Sequence, residues 1–166
     1  AYLPEQRART VVHVANLTHD TFAKFITGQL TDALIVGLLC YIGMVVLSIP
    51  HAGAVSVLVA VTTIIPVIGV LIGTVVAALL IVVTDPMKAL WFLIFIIVLQ
   101  QFESNVIYPR VVGKSVGLPG LWVLVAITVG GALFGILGML MAVPTFSVMY
   151  TLVREAVAKR LQHNNG

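Results

Sequence analysis

The sequence has few charged residues and a single cysteine. Only 9% of its 166 residues are Asp, Glu, Lys or Arg, whereas a soluble domain carries roughly 25%. So few charges cannot cover the surface of a soluble globule of this size, which excludes that class of protein. With Cys40 alone, the chain can form no internal disulfide and no cysteine-based metal site.

Patterns that would indicate catalysis or nucleic-acid binding are also missing. The chain has no glycine-rich phosphate loop, no Cys/His cluster and no HExxH motif. Its net charge is +3, but the cations fall near the ends of apolar segments, and no basic cluster alternates with aromatic residues. We therefore expect no enzymatic activity, no cofactor and no nucleic-acid partner.

Apolar residues make up 60% of the chain, and the mean hydropathy is +1.14. Because only a lipid bilayer solvates so much apolar surface, we predict an all-α, multi-pass transmembrane protein. Residues 1–32 are predicted to form an amphipathic N-terminal helical region, 33–153 a transmembrane helical domain, and 154–166 a basic cytoplasmic tail. Thr18 to Asp20 offer a helix cap in the first region, and Asp32 is expected to cap the first spanning helix, 33–49.

Two of the apolar segments are interrupted, which predicts two broken or re-entrant helical hairpins. Residues 54–65 reach only about 18 Å before Pro66, too short to cross a hydrocarbon core of about 30 Å. The PVIG motif at 66–69 breaks this helix, and 67–83 continue the apolar run. Residues 121–153 contain four glycines, and we expect two short helices that meet near GGALFGILG.

The distribution of basic residues predicts which loops are cytoplasmic. Lys and Arg occur in the N-terminal region, in the loop with Arg110 and Lys114, and in the tail. If all three are cytoplasmic, residues 54–83 must begin and end on the same side of the membrane, as a hairpin does. A single broken span over 54–83 is the alternative, and it would place the Arg110 loop outside.

The end of the apolar segment 89–107 is polar. A helix would place Gln100, Gln101, Glu103 and Asn105 on one broad arc, with Leu99, Phe102 and Val106 facing lipid. An intramembrane carboxylate is typical of a proton or cation site, or of a hydrogen-bond acceptor for a solute. Alternatively, Glu103 lies at the membrane interface and pairs with Arg110 or Lys114.

The prolines and glycines also have two interpretations. Pro66, Gly69 and Gly73 could shape an unwound hairpin tip that meets a ligand, or a kink that serves helix packing. The Gly131-xxx-Gly135 spacing favours close helix contacts. Asp85 in TDPMK is expected to cap the helix that follows it.

Four motifs together resemble the C-terminal half of the autoinducer-2 exporter family: FITGQL at 25–30, IIPVIG at 64–69, QQFESNVIYPRVVGKSVGLPG at 100–120 and GGALFGILGMLMAVP at 130–144. The resemblance covers nearly all of residues 22–150. It implies a longer parent protein in the bacterial inner membrane, cytoplasmic termini for this segment, and homo-oligomers. Some family members are linked to export of the quorum-sensing signal autoinducer-2, and others are described as sodium(lithium)/proton antiporters.

The family motifs place Pro66 and Gly69 at the first break, and they place further residues on the polar helix end, the loop after it and the last hairpin: Glu103, Asn105, Pro109, Gly113, Gly135, Gly138 and Pro144. The resemblance does not show which of these residues contact substrate. Our hypothesis is that the polar helix end and the two hairpins line a solute pathway, with these candidate residues: Gln100, Gln101, Glu103, Asn105, Pro66, Gly69, Pro109, Gly113, Gly135 and Gly138.

We expect a permease that exports small polar solutes such as autoinducer-2, with the lipid bilayer as its other partner. Glu103 would be a proton- or cation-sensitive gate, and the neighbouring amides would offer hydrogen bonds to the solute. A sodium(lithium)/proton antiporter, with Glu103 as its cation or proton site, is one alternative. A membrane scaffold that oligomerises without transporting anything is another.

Overall fold

The computed structural model describes residues 5–113 and 117–164, which are helical and contain no strand. The elements in chain order are α1 (Glu5–Val46), α2 (Ala52–Thr63), α3 (Ile68–Thr84), α4 (Pro86–Phe102), two short π-helical segments, π1 (Glu103–Ile107) and π2 (Pro109–Gly113), and α5 (Gly120–Asn164). This architecture confirms the all-α prediction. Lys114, one of the two cations proposed to pair with Glu103, lies outside the described residues.

By length and composition, three described stretches could cross a membrane: Arg9–Val46, Pro86–Gly113 and Leu121–Ala158. The third of them is not one straight helix, because it contains the non-helical residue Gly135. Helices α2 and α3 are apolar but shorter, with 12 and 17 residues. At about 1.5 Å per residue, α2 reaches only about 18 Å, so it cannot cross a bilayer by itself.

Helix α1 runs without a break through 42 residues. The predicted caps at Thr18–Asp20 and at Asp32 are therefore wrong, because both places lie in the interior of this helix. No proline interrupts α1, and two of its threonines bond back to the helix: Thr18 Oγ1 donates to the Val14 carbonyl and Thr31 Oγ1 to the Thr27 carbonyl, each at 2.8 Å. Asp32 therefore lies on the buried face of a continuous helix.

The chain divides into two units, one of which is Thr27–Lys114. Its helices bury apolar residues at three- and four-residue steps, which is the spacing of one helix face. The core cluster of this unit consists of Val36, Cys40, Met44 and Ile49 on and after α1, Val55 and Val59 on α2, Ala77 and Ile81 on α3, and Ala89, Phe92, Ile96 and Leu99 on α4. Leu99 was predicted to face lipid, and its burial corrects that prediction, whereas Phe102 is exposed as predicted.

Within this unit, α1 and α4 lie antiparallel. Near the end of α1, the Lys88 ammonium donates to the Leu47 carbonyl at 2.8 Å, and Gly43 packs against the Phe95 ring. Towards the start of the unit, Gly28 lies against Val111 and Val112 of π2. Along this contact, residue numbers increase from α4 to π2 while those of the facing α1 residues decrease. We call this contact the α1–α4 seam.

Helices α2 and α3 form a close-packed hairpin with its tip at residues 64–67. Gly69 and Gly73 of α3 face Thr62 of α2 so closely that a methyl group at either glycine would meet Thr62 atoms. At the tip, Val67 has φ 66°, an unusual value for a β-branched residue, and the Ile68 amide donates to the Pro66 carbonyl at 2.7 Å. The predicted break at PVIG is thus present, and Gly69 within the motif and Gly73 after it pack against α2.

The cap predicted at Asp85 is confirmed. Asp85 has extended backbone angles at the start of α4, and its Oδ1 accepts a hydrogen bond from the Lys88 amide at 3.1 Å. Pro86 occupies the first helical position, where its missing N–H costs nothing.

The second unit consists of Ala1–Ile26 and Ser115–Gly166. In it, α5 reverses at Gly135, which has φ 63° and ψ −143°. Gly130 packs on the backbone of Gly138, although eight residues of straight helix would separate them by about 12 Å. The helical hairpin predicted near GGALFGILG is therefore present. In the same unit, His13 Nε2 lies 3.1 Å from Glu155 Oε2.

We predict that Gly69→Ala destabilises the protein and that Gly53→Ala does not. The Gly69 methyl group would collide with the Thr62 carbonyl, a backbone atom that cannot move aside alone, so we expect a cost of about 1–3 kcal/mol or more. Gly53 lies in α2 with nothing within 4 Å of the added methyl group, so Ala there should be neutral or stabilising by about 0.5–1 kcal/mol. Thermal unfolding in detergent checks both, and equal melting temperatures for the two variants would contradict the packing described for the hairpin.

Candidate functional site

Asp32 is a buried acid without a partner. Its side chain is 0% exposed, and neither Oδ1 nor Oδ2 has a hydrogen-bond partner. It lies on the same face of α1 as Val36 and Cys40, one turn beyond the apolar core. Because a buried polar group without a hydrogen bond costs about 1–3 kcal/mol, and a charged one more, this position is expensive to maintain.

Glu103 lies opposite Asp32 across the α1–α4 seam. It begins π1, is only 7% exposed, and its Oε2 accepts a hydrogen bond from the Ser104 hydroxyl at 3.1 Å. The two carboxylates lie within electrostatic range of each other, and Tyr108 lies within the same range of both. The fold thus brings together two acids that are far apart in the sequence.

Gln29 joins these acids to the tip of the α2–α3 hairpin. Its Nε2 donates to the carbonyl of Thr63, the last residue of α2, at 2.9 Å. Because a carbonyl can only accept, the amide nitrogen of Gln29 must face Thr63. The amide oxygen, Oε1, is therefore the atom left without a hydrogen-bond partner in the interior. Gln29 and Asp32 are three residues apart on one helix and therefore neighbours on its surface.

Gln100 completes the group. It precedes Glu103 by three residues, and its Nε2 is buried without a hydrogen-bond partner. We call Gln29, Asp32, Gln100 and Glu103 the buried polar cluster. Three of its four unpartnered atoms are oxygens, so the cluster chiefly offers acceptors.

The cluster does not have the composition of a transition-metal site. Among the residues that the structure describes, no three His, Cys, Asp or Glu side chains are grouped so that they could hold a metal ion. Arg110, the other cation proposed to pair with Glu103, donates instead to the Val106 carbonyl at 2.7 Å.

The backbone becomes π-helical where the buried polar cluster ends in sequence. At Glu103 the hydrogen bonding changes to the i→i+5 type, and the Tyr108 amide donates to the Glu103 carbonyl. This change of period re-aims the side chains that follow, and such segments occur frequently at functional sites. A plain α-helical projection of the sequence could not have anticipated it.

The other predicted pathway residues of unit Thr27–Lys114 are divided between its interior and its surface. Gln101 and Asn105 are exposed, and Asn105 Nδ2 donates to the Gln101 carbonyl at 2.7 Å. Pro66 and Gly69 are buried at and after the hairpin tip, whereas Pro109 and Gly113 are the exposed ends of π2.

Gly135 and Gly138 belong to the other unit, where they form the reversal of α5. Gly135 is exposed at the turn, and Gly138 is buried against Gly130. The structure gives both a role in helix packing and chain reversal.

Sequence reasoning missed Asp32 and Gln29 as members of the cluster. The signal was available: Gln29, Asp32, Val36 and Cys40 follow one another at three- and four-residue steps. Extending the apolar face of the first spanning helix backwards by two turns would have placed both residues in the interior.

We predict that Asp32→Asn stabilises the folded protein in buffer free of alkali cations. The change removes a buried charge and its repulsion with Glu103, and we expect a gain of about 1–3 kcal/mol. Asp20→Asn is the matched control, since Asp20 is exposed on the same helix and should change stability by less than about 0.5 kcal/mol. Chemical or thermal unfolding measures both, and destabilisation by Asp32→Asn would mean that the carboxylate has a partner in the folded state.

Comparison with known proteins identifies the family. A family model described as AI-2E family transporter matches residues 1–158. "Putative transport protein YueF" of Bacillus subtilis is 35% identical over 130 residues, which are 78% of this chain and 35% of YueF. YrrI of the same species is 34% identical over 87% of this chain and 41% of its own length, and sll0063 of Synechocystis is 34% identical over 82% and 33%.

The chain therefore spans about a third to two fifths of the length of the curated relatives it matches. No solved structure matches it. Helical breaks, membrane-length apolar helices and the family match agree with one another, and the chain belongs to the AI-2E family of membrane transporters.

Proposed function

We propose that this chain supplies the gating part of a permease that exports small polar solutes, with autoinducer-2 as one such solute. The observation that carries the proposal is the buried polar cluster, in which Asp32, Gln29 and Gln100 keep polar atoms without hydrogen-bond partners. The proposal concerns the whole transporter, of which this chain is a part.

Unpartnered polar atoms inside a membrane helix bundle are costly, so they indicate a place where something binds. The cluster lies beside the tip of a broken hairpin, because Gln29 bonds the last carbonyl of α2. Interrupted helices at membrane depth are tolerated where they are buried in protein or line a watery cavity, and they are common at transporter binding sites.

A solute rich in hydroxyl groups suits this chemistry. Hydroxyls can donate to the unpartnered oxygens of Asp32 and Gln29 and accept from the Gln100 amide. Gln101 near the end of α4 and Asn105 in π1 are exposed, and they add neutral hydrogen-bonding groups close to Gln100 and Glu103 in the sequence. Glu103 then acts as the gate, because it is the charged member of the cluster that is nearest in sequence to these exposed amides.

The surroundings of the site follow from the same proposal. The transporter would lie in the bacterial inner membrane with the termini of this segment cytoplasmic, because the basic residues concentrate at the segment ends. Homo-oligomers are part of the proposal, and the exposed apolar residues along α3 and α4 leave surface for lipid or for neighbouring subunits.

We predict that Glu103→Gln slows solute efflux about tenfold while the protein still inserts into membranes. The loss corresponds to one hydrogen bond to a charged group, worth about 1.5 kcal/mol. The full-length protein is reconstituted in vesicles, and efflux of labelled autoinducer-2 is measured for the wild type, Glu103→Gln and the control Asp20→Asn.

Unchanged efflux through well-inserted Glu103→Gln would remove the gating role of this residue. Sodium-dependent proton movement without solute efflux would instead identify a sodium(lithium)/proton antiporter. Absence of any flux from the wild-type protein would favour the scaffold alternative.

A further inference from the structure

The tip of the α2–α3 hairpin is held by a side chain of α1 as well as by its own backbone. We propose that Gln29 is a latch on this tip: its amide keeps the tip closed beside the buried polar cluster, and a solute bound in the cluster strengthens that hold. The hold of Gln29 on the tip stands without any transport function, whereas the effect of a solute rests on the function proposed above.

Gln29 supplies a donor that the interrupted helix does not supply. In a continuous helix, the Thr63 carbonyl would accept a hydrogen bond from the backbone amide four residues on, which belongs to Val67. The helix ends at Thr63 instead, and Pro66 has no N–H to offer. Gln29 Nε2 donates to this carbonyl at 2.9 Å, and both residues are buried, which keeps bulk water from the bond. Loss of the Gln29 amide would leave a buried carbonyl without that donor.

The backbone of the tip is strained. Val67 has φ 66° and ψ −55°, and the Ile68 amide donates across it to the Pro66 carbonyl at 2.7 Å. These angles are those of the γ-turn with positive φ, which is rare and which a β-branched residue disfavours. The Val67 side chain is 53% exposed, so its own packing does not offset this strain. Strain at one residue and one buried hydrogen bond are of similar size, so the closed and the released tip differ little in free energy.

Glycine contacts confine the movement to the tip. Gly69 and Gly73 of α3 lie against Thr62 of α2 with no room for a methyl group at either glycine. Because these contacts hold the two arms of the hairpin together, release of the tip changes residues 64–68 without separating α2 from α3. A segment of this length suits a gate that opens and closes while the packed core of the unit remains intact.

The other end of the Gln29 amide connects the latch to the buried polar cluster. Oε1 is buried without a hydrogen-bond partner, and Asp32 is the neighbour of Gln29 one turn along α1. A solute hydroxyl that donates to Oε1 would fix the amide and polarise its N–H, which strengthens the bond to the Thr63 carbonyl. Solute binding and closure of the tip then favour each other, because coupling between two sites is reciprocal. A neutral solute with several hydroxyl donors fits this role, whereas Asp32 and Glu103 would repel an anion.

We predict that Gln29→Met and Val67→Gly shift the tip in opposite directions. Gln29→Met keeps an unbranched side chain but removes the donor, so hydrogen exchange at the Ile65 and Gly69 amides should rise about tenfold, the equivalent of about 1.4 kcal/mol. Val67→Gly removes the penalty of positive φ, so exchange at the same amides should fall. Thr31→Val, an exposed change on the same helix as Gln29, should leave exchange at the tip unchanged. Mass spectrometry of the full-length protein in lipid nanodiscs, with correction for intrinsic rates, measures all three.

The same measurement tests the effect of a solute. Saturating autoinducer-2, the probe, should slow exchange at the tip of the wild type by at least about fivefold, the lower end of coupling between binding sites. It should have little effect in Gln29→Met, in which the amide that joins the solute to the tip is missing. An equal effect in the wild type and Gln29→Met would remove the coupling through Gln29.

Unchanged exchange in Gln29→Met, or faster exchange in Val67→Gly, would overturn the latch. If Gln29→Met does not fold, Val67→Gly still decides, because its exposed side chain is removed without loss of packing. The two proposals fail separately. Opposite shifts of exchange in a protein that exports no solute would remove the permease function alone, and efflux by a protein whose tip responds to neither substitution would remove the latch alone.

Discussion

The repulsion between Asp32 and Glu103 is the interaction on which the rest of the site depends. Both acids are carried on apolar helix faces, one turn beyond the last core residues Val36 and Leu99. The apolar core fixes the register of α1 against α4, and this register places the carboxylates together whether or not the pairing is favourable. A protein without a use for the pair would be more stable with neutral side chains at either position.

Close helix packing makes this arrangement rigid. Glycines at the contacts of α1 with α2 and α4, and of α3 with α2, let the backbones approach, so packing substitutes for the hydrophobic effect that a bilayer does not provide. At one end of the α1–α4 seam, Lys88 caps the end of α1 through the Leu47 carbonyl. At the other end, no cation among the described residues forms an ion pair with either acid, and Arg110 donates to the Val106 carbonyl instead. The two ends of the α1–α4 seam thus differ: the end with Lys88 stabilises the helix packing, and the end with Asp32 and Glu103 carries the candidate site.

Local chemistry in the sequence predicted much of the fold. Pro66 follows the end of α2, where its missing N–H removes a helical hydrogen bond, and Gly135 adopts the positive φ at which α5 reverses. Asp85 caps α4 because its carboxylate accepts a hydrogen bond from the Lys88 amide just before a proline at the first helical position. Asp32 was misplaced for the opposite reason. An acid at the edge of an apolar run is interpreted as a helix cap if the helix is assumed to start there. The structure shows that α1 starts far upstream, at Glu5. Leu99 and Glu103 continue the three- and four-residue steps of the buried face of α4, and only the packing of the helices shows that this face is turned to the interior and not to lipid.

A double-mutant cycle on stability tests the central claim most directly. Unfolding free energies would be measured at alkaline pH, without alkali cations, for the wild type, Asp32→Asn, Glu103→Gln and the double variant. If the carboxylates repel each other in the interior, removing either one relieves the same repulsion, and the double variant gains less than the two single gains combined, by about 0.5–3 kcal/mol. Strict additivity would show that Asp32 and Glu103 do not interact, and it would contradict the buried polar cluster as described.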